Sequence, residues 1–158
     1  MIGPLLPDQP SLVILLRGLL DRDVTLHRDD AHVAENWFTA EYIDSAGDTV
    51  AVVRFDLALA ASAGASLALI PRGATEDWIS AGELTEDAID NASEVLNVMA
   101  AGFNQADHSR HLKLANVTRP GLELAASASK VIESPVAHAG YLVNIAGYPD
   151  GRLTVHVA

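Results

Sequence analysis

Two turn signals, one in each half of the chain, most constrain the fold that this sequence can adopt. They are Ser45-Ala46-Gly47-Asp48 and Tyr148-Pro149-Asp150-Gly151. Gly, Asp and Pro favour tight turns, and apolar segments on both sides of such a turn are typical of a β-hairpin. Because hairpins outnumber βαβ patterns, the sequence predicts an α+β fold. The predicted hairpin strands are Trp37–Ile43 with Thr49–Phe55, and Tyr141–Ile145 with Leu153–Val157.

The other segments divide into helical and extended patterns by the period of their apolar residues. The Ala- and Ser-rich segment Leu57–Leu69 is predicted to be a strand pair or one long bent strand, with a turn or bulge near Ser62–Gly64. A second segment of this composition, Ala125–Val131, fits either a helix or a strand. The remaining predictions are helices at Ser11–Asp21, Thr75–Ala81 and Thr85–Phe103, and strands at Val24–His27 and Leu112–Val117.

Size and charge limit the classes of protein to which the chain can belong. Its 158 residues suit a single domain, 1–158. The absence of cysteine excludes disulfides and thiolate metal sites. A net charge of −11, without any cluster of Lys or Arg, argues against nucleic acid and against anionic membranes as partners. The apolar stretch Ala51–Ile70 is interrupted by Arg54 and Asp56, whereas a bilayer span needs about 20 apolar residues. We expect a soluble, cytoplasmic domain.

The helix predicted at Thr85–Phe103 has two distinct sides. Thr85 is a favourable N-cap, and the acids that follow it suit the positive end of the helix dipole. At about 100° per residue, Asp90, Glu94 and Asn97 lie together on one side. Polar residues are ordinary on an exposed helix face, but this helix contains no Lys or Arg to balance its acids. An acidic face with a carboxamide favours a cationic partner. The opposite, apolar side consists of Ile89, Ala92, Val95, Leu96, Met99 and Phe103.

The polar side also carries a recognisable spacing. Asp90-x3-Glu94-x2-Asn97 is followed, after 22 intervening residues, by Pro120. This pattern resembles the D/S-x3-E-x2-N-x22-P signature of the CheC/CheX/FliY phosphatases, which dephosphorylate the chemotaxis response regulator CheY. The chain carries one copy, which is most similar to the single-site CheX members. It departs from the family pattern at Ser93, where glycine is common, and at Ala101, where the glycine often stands one residue before Gly102.

The resemblance implies a fold, a site and a substrate. The fold is a two-layer, CheC-like α+β domain, in which helices pack on a mixed or antiparallel sheet with a pseudo-twofold arrangement of two α-β-β-type halves. Asn97 is expected to orient the water that attacks the aspartyl phosphate, and Glu94 to pair with the regulator's lysine. Asp90 has a supporting role, and Pro120 a structural one. The protein needs no cofactor of its own, because the phosphorylated CheY-type regulator supplies Mg²⁺.

Other functions remain open from the sequence. The main alternative is a non-catalytic adaptor that binds a receiver domain or a flagellar-switch component, and a weaker one is a small-ligand binding domain. A homodimer is also expected from the resemblance, with the terminal hairpin Tyr141–Val157 as a candidate sheet edge.

Motifs for other chemistries have little support. His108 and His111 lack an evident third metal ligand, and His27 with Asp29 and Asp30 is typical of a solvated turn. There is no G-x-S-x-G, GxGxxG or Walker A pattern.

Overall fold

The computed structural model describes residues 5–30, 36–108 and 111–158, which form six helices and six strands. Both predicted hairpins are present, as β2 with β3 and as β5 with β6, and the α+β class is confirmed. The helices are α1 (Gln9–Leu20), α2 (Leu57–Leu67), α3 (Arg72–Ala81), α4 (Glu86–Val98), α5 (Ala100–Ala106) and α6 (Ala126–Glu133). The strands are β1 (Val24–Arg28), β2 (Phe38–Ile43), β3 (Thr49–Phe55), β4 (Lys113–Thr118), β5 (Ala137–Ile145) and β6 (Gly151–Val157).

The six strands form one antiparallel sheet in the order β1-β5-β6-β3-β2-β4. If β1, β2 and β3 are exchanged with β4, β5 and β6, respectively, the same order results, read from the opposite edge of the sheet. Each half therefore places its first strand beside the hairpin of the other half, and the sheet has a pseudo-twofold arrangement about the β3–β6 pair. Each half contains three strands, one more than the predicted α-β-β unit.

The two faces of the sheet differ in what covers them. We call the face packed by α1, α2, α4 and α5 the inner face, and it carries the main apolar core, to which Ala51, Val53 and Phe55 of β3 contribute. Val52 points the other way, to the outer face, where Ala128 and Val131 of α6 pack against it. The segment that the sequence left ambiguous is thus the helix that covers part of the outer face.

The strand prediction for Leu57–Leu69 is wrong, because the segment is the helix α2 and has no turn or bulge at Ser62–Gly64. Asp56 is its N-cap, and its Oδ1 accepts hydrogen bonds from the backbone N–H of Leu59 at 2.8 Å and of Arg152 at 3.0 Å. Small side chains let this helix approach α4 closely. At Gly64 a Cβ would lie only 2.6 Å from the carbonyl oxygen of Ala88. Ala and Leu are strong helix formers, so local propensity agrees with the observed helix.

The long helix predicted at Thr85–Phe103 is interrupted at Met99, which separates α4 from α5. The N–H of Gly102 donates to the Met99 carbonyl at 3.0 Å, a tighter i to i+3 bond than an α-helix uses. The predicted apolar side is nevertheless correct, since Ala92, Val95 and Leu96 are buried, as are Met99 and Phe103 beyond them.

The expectation that the terminal hairpin forms a sheet edge is also wrong. β5 pairs with β1 and β6, and β6 pairs with β5 and β3, so both strands are internal. The edges of the sheet are β1 and β4. None of the helices in the described ranges is long and apolar enough to cross a bilayer.

Candidate functional site

The structure places the three helical signature residues on one exposed face of α4. Asp90, Glu94 and Asn97 are all solvent-exposed, and they follow one another over about two helical turns. We call these three residues the signature face. Asn97 lies in the last turn of α4, one residue before the helix ends at Val98.

Helix α4 is fixed at its start by a side-chain cap. The hydroxyl of Thr85 accepts a hydrogen bond from the backbone N–H of Ala88 at 3.2 Å, which satisfies one of the free donors of the first turn. The side of α4 that faces away from solvent packs on α2 through Ala88 and Ala92, next to Gly64. The signature face is therefore presented by a helix that is packed tightly along its length.

A buried tyrosine fixes the other end of α4. Tyr42 of β2 is fully buried, and its hydroxyl donates a hydrogen bond to the carbonyl oxygen of Leu96. Burial raises the pKa of Tyr42 well above its ordinary value, so the hydroxyl keeps its proton and remains a donor. Its ring also packs on Phe103, with 5.3 Å between centroids. Because Leu96 immediately precedes Asn97, this bond positions the turn that carries the carboxamide.

Arg119 supplies a cation near the start of α4. Its two terminal nitrogens donate to the two carboxylate oxygens of Glu86, each at 2.9 Å. The hydrogen bond from Arg119 lowers the pKa of Glu86, and the same contact raises the pKa of Arg119, with a smaller contribution from Asp90. The helix itself contains no Lys or Arg, as the sequence shows, but Arg119, directly after β4, pairs with Glu86 across the fold.

The C-terminal half of the signature face has no such partner. Within the described ranges, the side chains of Glu94 and Asn97 form no hydrogen bond or ion pair. A carboxylate and a carboxamide three residues apart on a helix lie close enough to contact one ligand together. The two side chains are therefore available to a partner molecule.

Pro120 lies away from Asn97, in the turn that follows β4. With Phe38, Glu86 and Ile89 it lines a shallow cavity of about 210 Å³ beside the N-terminal half of α4. The fold thus brings the signature proline to the helix that carries the other three residues, at the opposite end from the carboxamide. This location agrees with a structural role.

The histidines do not form a metal centre in the part of the chain that the structure describes. His108 and His111 are exposed, and no group of three or more metal-ligating side chains occurs there. Near β1, Asp29 pairs with Arg152 at 2.6 Å, and Asp30 pairs with Arg28 at 2.7 Å. His27 is exposed beside these ion pairs, as its sequence context predicts.

Sequence reasoning missed the residues that support the signature face. In the sequence, Tyr42 is an ordinary aromatic residue of a predicted strand. Its hydrogen bond to Leu96 joins residues that are 54 positions apart. Arg119 directly precedes Pro120, but nothing local shows that it reaches Glu86. Only Gly64 left a signal, since a glycine among alanines and serines permits a close helix contact as well as a bulge.

Comparison with known proteins identifies the fold. No family model matches the sequence, and no curated protein matches it. Among solved structures, FliY from Thermotoga maritima matches with a TM-score of 0.60 at 15% identity, over 94% of this chain and 83% of that one. The CheX–CheY–BeF3–Mg complex from Borrelia burgdorferi matches with a TM-score of 0.53 at 12% identity, over 93% and 92% of the two chains. The FliG–FliM complex from H. pylori matches with a TM-score of 0.56 at 7% identity, over 94% and 85%. The predicted CheC-like fold is confirmed.

Proposed function

We propose that this protein is a phosphatase that accelerates hydrolysis of the aspartyl phosphate on a CheY-type response regulator in chemotaxis or two-component signalling. The observation that carries the proposal is the unpartnered pair Glu94 and Asn97, which stands at the signature spacing on a rigid helix of this fold. One structure with this fold is a CheX–CheY complex. The regulator is the substrate, and it brings its own Mg²⁺.

The reaction requires a positioned water molecule. The water oxygen forms a bond to phosphorus as the bond from phosphorus to the aspartyl oxygen breaks, which yields inorganic phosphate and a free carboxylate. The proton of the water leaves with phosphate or solvent. The regulator's Mg²⁺ neutralises the phosphoryl oxygens. The carboxamide of Asn97 orients the water by a hydrogen bond and adds no negative charge beside the phosphoryl group.

Glu94 and Asp90 set the docking geometry. Glu94 lies one turn before Asn97, and its exposed carboxylate forms a salt bridge with the regulator's lysine, which fixes where Asn97 enters. Asp90 extends the acidic edge one turn further. Arg119 pairs with Glu86, so the remaining acids of α4 are Asp87, Asp90 and Glu94, and the last two belong to the signature face.

The test is the decay of phosphorylated receiver domains, assayed as a panel with and without this protein. We expect Asn97→Ala to reduce the acceleration by about 100-fold, because the water loses its orientation. Asn97→Asp is expected to fail as well, since a carboxylate repels the phosphoryl group. Asn91→Ala is the matched control, because Asn91 lies on the same helix but outside the signature face.

Folding and regulator binding should survive in Asn97→Ala, which circular dichroism and a binding assay can check. If Asn97→Ala accelerates decay as well as the parent protein does, the mechanism is wrong. If no receiver domain in the panel decays faster with the parent protein, the function itself is wrong.

A second candidate function is a non-catalytic adaptor for a receiver domain or a flagellar-switch component. The structural match to FliM in a FliG–FliM complex favours it, because that protein uses the same fold in an assembly with another protein. Binding of a receiver domain without any change in its phosphate lifetime would select the adaptor over the phosphatase.

A homodimer in the cytoplasm belongs to the same proposal. Since β5 and β6 are internal, pairing between sheets must use β1 or β4, and the exposed Lys113 stands at the start of β4. Size-exclusion chromatography with light scattering measures the mass directly. A monomer at micromolar concentration would remove the dimer and leave the catalytic proposal unaffected.

A further inference from the structure

A cationic pocket lies on the outer face of the sheet, where β2 and β3 meet the turn after β4. The cavity has a volume of about 240 Å³, and the described residues that line it include Arg54 and Arg119 but no acidic residue. Such a lining is unusual in a chain with 21 acidic and 10 basic residues. Glu94 and Asn97 do not contribute to it, so the inference drawn here does not depend on the proposed phosphatase activity.

Arg54 is a half-buried cation, and no carboxylate of the described residues pairs with it. It projects from β3 opposite Thr39, and its Nε donates to the hydroxyl of Thr39 at 3.2 Å. Its Nη1 and Nη2 donate to no group in the described ranges. Burial lowers the pKa of Arg54 to about 10, which reflects the cost of removing the guanidinium from water. Charges that are buried to this extent are ordinarily paired.

The guanidinium of Arg54 is held in place by an aromatic ring. Its central carbon lies 4.9 Å from the centroid of the Trp37 ring, a cation–π contact. Stacking on the indole and the bond to Thr39 leave the Nη edge of the fork open to the pocket. A planar guanidinium held in this way is suited to bidentate binding of a carboxylate or phosphate group.

Arg119 provides a second donor at the rim. It is occupied by Glu86, but both side chains of that ion pair are largely exposed, at 43% and 74%. Exposed ion pairs contribute little to stability, so an anion in the pocket can compete with Glu86 for this arginine.

We propose that this pocket binds a small-molecule oxyanion that carries a phosphate or carboxylate group, with Arg54 as the bidentate donor and Arg119 as the second donor. The ligand supplies the ion-pair partner that Arg54 lacks among the described residues. Trp37 and Thr39 position the guanidinium and do not need to move when the anion binds.

The experiment is thermal denaturation of the full chain in increasing inorganic phosphate or succinate, with sodium chloride at equal ionic strength as the background. Binding to the folded state raises the midpoint in a saturable way. We expect phosphate, succinate or both to raise the midpoint of the parent protein. Which anion does so shows whether the pocket prefers a phosphate or a carboxylate group. Arg54→Gln should weaken binding by at least about tenfold, because it removes a charge-assisted hydrogen-bond donor.

Two further variants make the result specific. Arg54→Lys keeps the charge but loses the planar fork, and we expect intermediate binding that also serves as the test if Arg54→Gln does not fold. Arg72→Gln is the matched control, because Arg72 pairs with Glu76 on α3 outside the pocket, and its response should equal that of the parent. In NMR spectra, the Arg54 Nε–H and the Trp37 indole signals should shift with the anion.

Either of two outcomes overturns the proposal. One is an equal anion response in the parent protein and in both Arg54 variants. The other is that neither phosphate nor succinate raises the denaturation midpoint of the parent protein. This outcome overturns the proposal even if an acidic protein binds the pocket.

Discussion

The two faces of the sheet differ in the polarity of the residues that they bury. On the inner face, apolar and small residues are packed against four helices, and one polar contact inside this core is the hydrogen bond from the Tyr42 hydroxyl to the Leu96 carbonyl. On the outer face, α6 covers one part, and polar groups such as Glu41, Arg54 and His156 lie partly or fully buried on the strands.

The inner face therefore positions a helix, whereas the outer face offers polar groups to a ligand. The inner face positions α4 through close packing, and the functional side chains of α4 then project into solvent on its far side. On the outer face, Glu41 accepts hydrogen bonds from neighbouring side chains, whereas the terminal nitrogens of Arg54 and the Nδ1 of His156 have no hydrogen-bond partner in the described ranges. Desolvated polar groups without a partner reduce stability. The inner face therefore determines where the signature face lies, whereas the outer face retains these two unpartnered groups.

The largest effect is expected where α2 meets α4. In Gly64→Ala the new Cβ would stand 2.6 Å from the Ala88 carbonyl oxygen, so the helices must separate. We expect the free energy of unfolding to fall by about 2–3 kcal/mol, although alanine is the better helix former. Denaturation in urea measures the change.

The matched control is the same substitution in an open place. Gly18 lies inside α1 and a Cβ there meets nothing within 4 Å, so Gly18→Ala should raise the free energy of unfolding by about 0.5–1 kcal/mol. Equal effects at the two glycines would show that close approach does not determine the packing of α4.

The helix α2 also shows how far sequence alone predicts this fold. The two hairpins and the apolar side of α4 follow from local sequence patterns, and these predictions are confirmed. The sequence predicts strands with a glycine turn or bulge for the apolar segment Leu57–Leu69, whereas Leu57–Leu67 is the helix α2. That helix is buried around most of its circumference, and its small side chains are explained only by the neighbouring α4, which a local pattern does not contain.

The next effect concerns the end of α4. Tyr42→Phe removes the hydroxyl and leaves the Leu96 carbonyl without this donor in a buried setting. We expect the free energy of unfolding to fall by about 1–2 kcal/mol, measured in urea, because an unsatisfied buried acceptor is costly. Receiver dephosphorylation should slow as well, since Asn97 follows Leu96 directly.

Tyr148→Phe separates stability from positioning. The hydroxyl of Tyr148 donates to the Ile70 carbonyl, far from Asn97 in the chain, so this variant loses a comparable bond. It should be destabilised like Tyr42→Phe but should keep the dephosphorylation rate of the parent. If both variants slow the reaction equally, Tyr42 has no particular role in placing the carboxamide.

For the candidate site, the sequence predicts the exposed residues but not the residues that hold them in place. The spacing of Asp90, Glu94 and Asn97 predicts a common helix face from helical geometry alone, and the structure places them on one. By contrast, Arg119 and Tyr42 act across the fold, on side chains that are distant in sequence. Contacts of this kind depend on strand register and helix packing, which no single segment encodes.

The smallest effect is expected on the outer face, at His156. Its Nδ1 is buried without a hydrogen-bond partner, and its ring stacks on His138 with 6.0 Å between centroids. Burial, together with smaller contributions from the charges of His138 and Arg54, lowers the pKa of His156 from 6.5 to about 4. The folded state therefore holds this imidazole neutral under conditions in which the unfolded chain binds a proton.

The sign of the pH dependence follows from that difference. The stabilising contribution of His156 is complete above pH 6.5 and is lost as the pH falls toward about 4, because only the unfolded state gains a proton in this window. Partial exposure of the ring reduces the effect, and we expect His156→Gln to remove about 1 kcal/mol of the stability difference between pH 7 and pH 5. Urea denaturation at the two pH values measures it. His27→Gln, on the exposed side of β1, should keep the difference of the parent protein. If His156→Gln keeps it too, the imidazole is not held neutral, and the outer face does not carry the desolvated group on which its contrast with the inner face depends.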